Sequence, residues 1–121
     1  MKVELRKSFR FEAAHHLPFA PEGHRCRQIH GHGYVVEVAV EGQIDATHRW
    51  LVDYGEILRL CEPVKARLDH KLVNEIPGLE SGTAEDLSVY IWNELKPVLP
   101  QLTAVTVRET ATSSCTFRGE T

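Results

Sequence analysis

The sequence predicts an α+β domain in which one antiparallel sheet of four strands carries two helices on one face. Three observations predict this fold class. Two long segments with alternating apolar and polar residues come first, two segments with apolar residues at helical spacing follow, and two short alternating segments come last. The order strand-strand-helix-helix-strand-strand is typical of a sheet whose helices share one face. With 121 residues, the chain is expected to form a single domain over residues 1–121.

Two alternating segments predict the first half of the sheet. Residues 2–12 place apolar side chains on one face, and continued alternation adds His15 to that face. A loop at residues 17–28 follows. Residues 30–41 then place on one face His30, His32, Tyr34, Val36, Val38 and Val40. We expect the two strands to pair across the loop. This pairing would bring His15, His30 and His32 together at one end of the sheet.

Capping residues and apolar stripes predict the two helices. Asp53 and Glu56 have the spacing of a helix capping box. The apolar residues that follow are three or four positions apart, as on one face of a helix: Ile57, Cys61, Val64 and Leu68. Pro63 lies inside this stretch and predicts a kink or a break. Thr83 is expected to cap the second helix, which Pro97 ends. Two short strands complete the sheet, at residues 104–110 and 114–118.

The composition argues against several partners. A net charge of −3 does not favour a nucleic acid or an anionic membrane surface. No apolar run is long enough to span a bilayer, and the first residues lack the apolar core of a signal peptide. The three cysteines are an odd number at unrelated spacings, which does not indicate a disulfide framework and predicts a reducing, cytoplasmic compartment.

Histidine is the unusual component, because five of the seven histidines fall between residues 15 and 32. His30 and His32 are two residues apart, so a strand points both rings to one side. With His15 they supply three imidazoles, which suits a catalytic zinc site with an open fourth position. Three inert histidines are the alternative, but each unsatisfied buried group would cost about 1–3 kcal/mol, which favours zinc. The histidines with outward or loop positions are not expected to be ligands: His16, His24 and His48.

Cys26 is the candidate reactive thiol. It lies in a polar loop between Arg25 and Arg27, and neighbouring positive charge favours the thiolate, the reactive form of cysteine. Cys61 falls on the apolar stripe of the first helix and is expected to be a core residue. Cys115 is likewise expected to be structural.

Three further residues are candidates for the same site. Asp69 and His70 form an acid-imidazole pair at the end of the first helix, for which a plain surface loop is the alternative. Glu109 ends a strand whose inward residues, Val105 and Val107, are apolar, so its carboxylate is expected to point inward and to need a partner. A ligand with paired N–H donors would supply that partner.

Six segments of the chain form a distinctive set: Phe11-Glu12-Ala13-Ala14-His15, Cys26-x-x-x-His30-Gly31-His32, Leu68-Asp69-His70, Pro77-Gly78-Leu79-Glu80, Thr83-x-Glu85 and Arg108-Glu109-Thr110. Together they resemble the 6-pyruvoyl-tetrahydropterin synthase superfamily over nearly the whole chain. Within it, three residues between the cysteine and the His-Gly-His motif are similar to the branch that serves queuosine (7-deazaguanine) biosynthesis. The resemblance implies the tunnelling fold, in which subunits join into a closed barrel with active sites between them.

The resemblance also implies an activity. It is that of a zinc-dependent lyase that converts 7,8-dihydroneopterin triphosphate and water to 6-carboxy-5,6,7,8-tetrahydropterin, acetaldehyde and triphosphate. By the same resemblance, the zinc ligands are His15, His30 and His32. The implied catalytic residues are Cys26, Asp69, His70 and Glu109. Glu109 is also implied to anchor the pterin, Thr83 to contact the substrate, and the subunits to form a homo-oligomer built on trimers, with a hexamer left open.

Three alternatives stay open at this stage. Two are different reactions on the same scaffold, namely 6-pyruvoyl-tetrahydropterin formation and a related cleavage of the pterin side chain. The third is a non-catalytic module whose structural zinc takes Cys26 as its fourth ligand. His16 stands where relatives often have arginine, so the residue that holds the triphosphate also stays open among Arg10, Arg25, Arg27 and Lys71.

Overall fold

The computed structural model describes residues 1–120 and contains four strands and two long helices. The strands are β1 (Lys2–His15), β2 (His30–Gln43), β3 (Leu102–Thr110) and β4 (Ser113–Phe117). The helices are α1 (Tyr54–Leu68) and α2 (Ala84–Leu95), and single helical turns lie at Arg25–Arg27 and Val73–Glu75. All neighbouring strands pair antiparallel in the order β1-β2-β3-β4, which confirms the predicted sheet and the predicted order of elements.

Alternation along the strands determines which face of the sheet is buried. Phe9 and Phe11 of β1 and Val36 and Val38 of β2 are almost fully buried, whereas the residues between them on β1 are exposed. The apolar stripes of α1 and α2 pack on this face, and the buried residues form one hydrophobic cluster. The predicted caps are present. The Asp53 side chain accepts from the N–H of Gly55 at the start of α1, and the Thr83 side chain accepts from the N–H of Asp86 at the start of α2.

Helix α1 continues through Pro63, so of the predicted kink or break, the break is wrong. Pro63 cannot donate to the carbonyl of Arg59, four residues earlier. Both residues are exposed, so water can take the place of the missing donor. The buried stripe of Ile57, Cys61, Val64 and Leu68 holds both halves of the helix on the sheet. Neither this helix nor any other within residues 1–120 is long and apolar enough to cross a membrane.

Candidate metal centre and active site

Three histidines meet at the end of the β1–β2 hairpin. His15 lies directly opposite His30 in the strand register, and His32 lies opposite Ala13, two residues along on the same face. Each ring offers a ligand nitrogen, and these three atoms lie within 4.8 Å of one another. His15 is only 2% exposed, while His30 and His32 are half-buried, so the cluster extends from the core to the surface. The three side chains could hold one metal ion.

Backbone carbonyls determine which nitrogen of each ring carries the proton. In every case Nδ1 is the atom beside a carbonyl oxygen: that of Gly82 at 2.7 Å for His15, of Gln28 at 2.9 Å for His30 and of Gly33 at 3.0 Å for His32. A carbonyl oxygen only accepts, so each Nδ1–H donates and each Nε2 keeps a free lone pair. Metal-binding histidines are commonly oriented by partners of this kind.

The chemistry of the donor set fits a cation. Nε2 of His15 and Nε2 of His32 lie 3.1 Å apart, and both are acceptors once the Nδ1 atoms carry the protons. Two lone pairs that face each other repel, whereas a metal ion between them would accept both. Bonds of about 2.0–2.1 Å from zinc to imidazole allow a nitrogen–nitrogen separation of this order. Burial lowers the pKa of His15, which favours the neutral ring that a metal requires.

Two residues that the sequence analysis did not single out, Asn74 and Gly82, hold His15 in place. The Asn74 side chain accepts from the N–H of His16 at 2.9 Å and donates to its carbonyl at 2.8 Å, so it clamps the backbone beside His15. Gly82 accepts from His15 and has a φ of +72°, and a Cβ there would lie 2.1 Å from the His16 oxygen. The only signal for Gly82 in the sequence is its position before a helix cap.

Gly82→Ala is therefore expected to lower the metal affinity by about 10- to 100-fold, the usual cost of disturbing a partner of a metal ligand. The clash with the His16 oxygen would displace the carbonyl that fixes the ring of His15. Metal retention against a graded chelator measures the effect. Gly78→Ala is the matched control, because Gly78 has a φ of +93° but no atom within 4 Å of the added Cβ. Equal metal retention in the two variants would contradict the expectation.

Cys26 lies beside the cluster without being part of it. It sits in the turn Arg25–Arg27, which His24 caps by accepting from the N–H of Cys26 at 3.1 Å. The half-buried thiol lines a cavity of about 330 Å³ together with His30. Within residues 1–120, the group of possible metal ligands contains the three histidines and not Cys26. Three protein ligands are typical of a catalytic site, whereas structural zinc sites usually have four.

The other two cysteines have different environments. Cys61 is 1% exposed on α1, and burial raises the pKa of its thiol to about 11, which confirms that it is a core residue. Cys115 is half-buried, and its Sγ lies 3.7 Å from Oγ of Ser88. All three cysteines are free thiols in the part of the chain that the structure describes.

Asp69 and His70 end α1 and turn the chain back onto β1. Oδ1 of Asp69 accepts from the N–H of Glu12 at 2.9 Å, and Oδ2 lies 3.1 Å from Nδ1 of His70. The hydrogen bond from Glu12 lowers the pKa of Asp69, so this carboxylate is ionised and can orient the imidazole. His70 adopts a φ of +60°, which is uncommon outside glycine, and its side chain is 79% exposed.

Cys26 and His70 reach the histidine cluster from different cavities. Cys26 shares its cavity with His30, whereas His70 lines another cavity, of about 550 Å³, together with His32. No hydrogen bond or ion pair joins Cys26 to Asp69 or His70 within residues 1–120. One chain therefore does not bring the candidate thiol and the candidate imidazole into contact.

Glu109 points towards the cluster from β3. Its Oε1 lies 3.8 Å from Nδ1 of His15, and its side chain is 30% exposed. Glu109 and His32 also line one cavity of about 350 Å³. Thr83, in contrast, uses its hydroxyl to cap α2, because Oγ1 accepts from the N–H of Asp86 at 3.2 Å. A contact between Thr83 and a substrate stays a prediction.

The four basic candidates for the triphosphate differ in their surroundings. Arg27 already donates to the carbonyl of Ala20 at 2.8 Å. The other three each line a cavity with a residue of the candidate site: Arg10 with Glu109, Arg25 with Cys26 and Lys71 with His70. These three are therefore better placed to meet a bound anion than Arg27.

The fold and the site together define an α+β protein with a three-histidine candidate metal centre at one end of its sheet. The family described as 6-pyruvoyl tetrahydropterin synthase has a sequence model that matches residues 4–120. This match covers nearly the whole chain. The chain belongs to that family.

Its relatives carry two different names. The 6-carboxy-5,6,7,8-tetrahydropterin synthase of Synechocystis sp. is 36% identical over 119 residues, which cover 93% of this chain and 91% of the relative. The 6-pyruvoyl tetrahydrobiopterin synthase of Dictyostelium discoideum is 36% identical over 101 residues, which cover 79% of this chain and 75% of the relative. The solved structure of the 6-pyruvoyl tetrahydropterin synthase of Caenorhabditis elegans superposes on this chain with a TM-score of 0.90. The superposition covers 99% of this chain and 97% of that structure at 24% sequence identity, so the two proteins share the fold.

Proposed function

We propose that the chain is a metal-dependent lyase that converts 7,8-dihydroneopterin triphosphate and water to 6-carboxy-5,6,7,8-tetrahydropterin, acetaldehyde and triphosphate. The observation that carries the proposal is the cluster of three histidine ligand nitrogens, which has no fourth protein ligand within residues 1–120 and lies next to Cys26 and Glu109. Membership of a family named for a tetrahydropterin synthase supports the substrate class.

Zinc is the proposed metal. Three neutral imidazoles suit this ion, and the proposed ligands are the Nε2 atoms of His15, His30 and His32. When bound, zinc would act as a Lewis acid that polarises oxygens of the substrate side chain and acidifies the neighbouring C–H and O–H groups.

The side chains around the metal are proposed to move protons and to hold the substrate. Cys26, which lies between two arginines, would remove a proton from the substrate side chain. His70, oriented by Asp69, would return one. Glu109 would accept two hydrogen bonds from the amino group and the ring N–H of the pterin, which fixes the side chain over the metal. Thr83 is a further proposed substrate contact.

The 6-carboxy product is proposed rather than the 6-pyruvoyl product for two reasons. Three residues separate Cys26 from His30, a spacing that resembles the 6-carboxy branch. The Synechocystis relative also aligns with more of this chain than the Dictyostelium relative does, although the identities are equal. The proposed setting is queuosine biosynthesis in the cytoplasm, where the free cysteines would stay reduced.

Product analysis tests this proposal. The zinc-loaded protein is incubated with 7,8-dihydroneopterin triphosphate, and the products are separated and identified by mass spectrometry. We expect 6-carboxytetrahydropterin together with acetaldehyde. Formation of 6-pyruvoyl-tetrahydropterin without acetaldehyde would favour the second candidate function. If the zinc-loaded protein consumes no substrate, both functions are wrong.

Glu109→Gln is expected to weaken pterin binding by about 2–4 kcal/mol, because the amide sets one N–H donor against the donors of the pterin. Metal content should not change, since Glu109 is not in the ligand group. Equilibrium binding of a pterin and metal analysis measure the two effects. Glu85→Gln is the matched control, because Glu85 lines a small cavity together with Glu109 but is exposed. Unchanged pterin affinity in Glu109→Gln would remove this residue from the site.

A trimer-based homo-oligomer with active sites between subunits is also proposed. The outer strands β1 and β4 each leave one edge for further pairing. Within residues 1–120, the outer edge of β1 is bridged near its end, where Ala14 pairs with Leu72 and the Glu12 carbonyl accepts from the N–H of His70. The separate cavities of Cys26 and His70 fit a site completed by a second subunit. We expect light scattering to give the mass of a trimer or a hexamer. A fully active monomer would contradict the shared site.

A further inference from the structure

The hydroxyl of Tyr34 is a buried polar group that the proposed mechanism does not use. Tyr34 is 1% exposed, and its hydroxyl is the one fully buried side-chain nitrogen or oxygen within residues 1–120 that has no hydrogen-bond partner. An unpaired buried hydroxyl costs about 1–3 kcal/mol, and phenylalanine would avoid this cost with the same shape. The hydroxyl therefore calls for a functional explanation.

Tyr34 stands in a row of side chains that crosses three strands. On one side it lies opposite Phe11 of β1, and the two rings stack with their centroids 4.7 Å apart. On the other side, the ladder of β2 with β3 ends at the pair Val35 and Arg108, and continuing it by one position would set Tyr34 opposite Glu109. Side chains directly opposite have Cβ atoms about 4.5–5.5 Å apart. The tyrosine and the glutamate are therefore neighbours on the helix-covered face.

The same row borders the histidine cluster. The ring centroid of Tyr34 lies 4.4 Å from that of His32 and 5.6 Å from that of His15. The carboxylate of Glu109 is 3.8 Å from Nδ1 of His15, which is too long for a hydrogen bond, and no donor within residues 1–120 hydrogen-bonds to it. A tyrosine hydroxyl is an O–H donor, so Tyr34 can donate to this carboxylate, which has no other donor in the described part of the chain.

We propose that Tyr34 is a positioning residue. Its hydroxyl and the Glu109 carboxylate are not bonded to each other in this structure, and in the pterin complex the hydroxyl donates to that carboxylate and fixes the orientation in which it meets the pterin. This inference rests on the proposed function, in which Glu109 anchors the substrate. A carboxylate has about four lone-pair sites, so one bond from Tyr34 leaves room for two bonds from the pterin. Glu109 needs such a support because the pairing of β3 with β4 is irregular between Arg108 and Thr110.

Tyr34→Phe tests the inference, because it keeps the stack with Phe11 and removes only the hydroxyl. With 7,8-dihydroneopterin as the probe, we expect the affinity to fall about tenfold. We also expect KM to rise more than kcat falls, the metal content to stay constant and the melting temperature not to drop. Tyr90→Phe on α2 is the matched control and should not change the affinity for the probe. Unchanged affinity in Tyr34→Phe would overturn the inference.

A double-mutant cycle shows whether Tyr34 acts through Glu109. In the Glu109→Gln background, Tyr34→Phe should cause no further loss of affinity, whereas additive losses would overturn the positioning role. The same cycle separates the two proposals. If the wild-type protein binds no pterin, the proposed function fails and the positioning role fails with it. If Glu109→Gln loses affinity but Tyr34→Phe does not, only the positioning role is wrong.

Discussion

Cys26→Ala is expected to reduce turnover by about a thousandfold or more while the protein keeps its fold and its metal. A positioned general base contributes roughly 10²–10⁴-fold, and no other thiol lines the cavity that Cys26 shares with His30. The metal should remain, because Cys26 is not among the possible ligands. The fold should remain, because the turn that holds Cys26 contains no buried residue.

The measurements are the single-turnover rate and the metal content of the purified variant. Cys61→Ala and Cys115→Ala are the controls, and both should turn over substrate at close to the wild-type rate. Cys61→Ala is expected to lose stability, because it leaves a small cavity under α1. If Cys26→Ala loses its metal together with its activity, the thiol is a ligand and the site is a closed structural one.

Much of the fold follows from local patterns in the sequence. Nearly strict alternation in β1 and β2, interrupted at Lys7, favours one arrangement that buries Phe9 and Val36 together, so strand positions and pairing could be predicted. The caps at Asp53 and Thr83 set the starts of both helices. The break at Pro63 was predicted wrongly, because the effect of a proline depends on whether the carbonyl that it leaves unpaired, here that of Arg59, faces water, and this depends on tertiary packing.

The candidate metal centre was predictable for the same reason. Side chains of His15, His30 and His32 share one face of a hairpin whose register follows from burial. The residues that hold the His15 ring and the neighbouring backbone in place were not predictable. Asn74 lies 58 residues after His16 and Gly82 lies 67 residues after His15, and they reach these histidines only because the segment after α1 packs beside β1. No local pattern reports such a contact.

The placement of Tyr34 beside the end of the β2–β3 ladder, next to Glu109, shows a second limit. Alternation indicated that both side chains face the helices, but it did not indicate that they are opposite each other. That relation depends on the register between β2 and β3, which are joined through both helices rather than by a short turn. The separation of Cys26 from His70 is of the same kind, since each lies on a different connection around the cluster.

His30→Ala is expected to lose most of the bound metal. It removes one of three ligands, so the affinity should fall by more than the roughly 10–100-fold that a change in a ligand's partner costs. A metal at a thousand times its dissociation constant stabilises the folded state by about 4 kcal/mol. A chelator should therefore lower the melting temperature of the wild type and leave that of His30→Ala nearly unchanged.

The matched control for this experiment is His16→Ala. His16 neighbours His15 in the sequence, but only its backbone N–H and carbonyl bond to Asn74, so the clamp survives the loss of the imidazole. This variant should hold about one metal ion per chain and should respond to the chelator as the wild type does. Full metal content in His30→Ala would show that the histidine cluster is not the metal site. Loss of the metal in His16→Ala would mean that His16, and not His15, is the ligand. The structure favours His15, because its Nε2 faces that of His32.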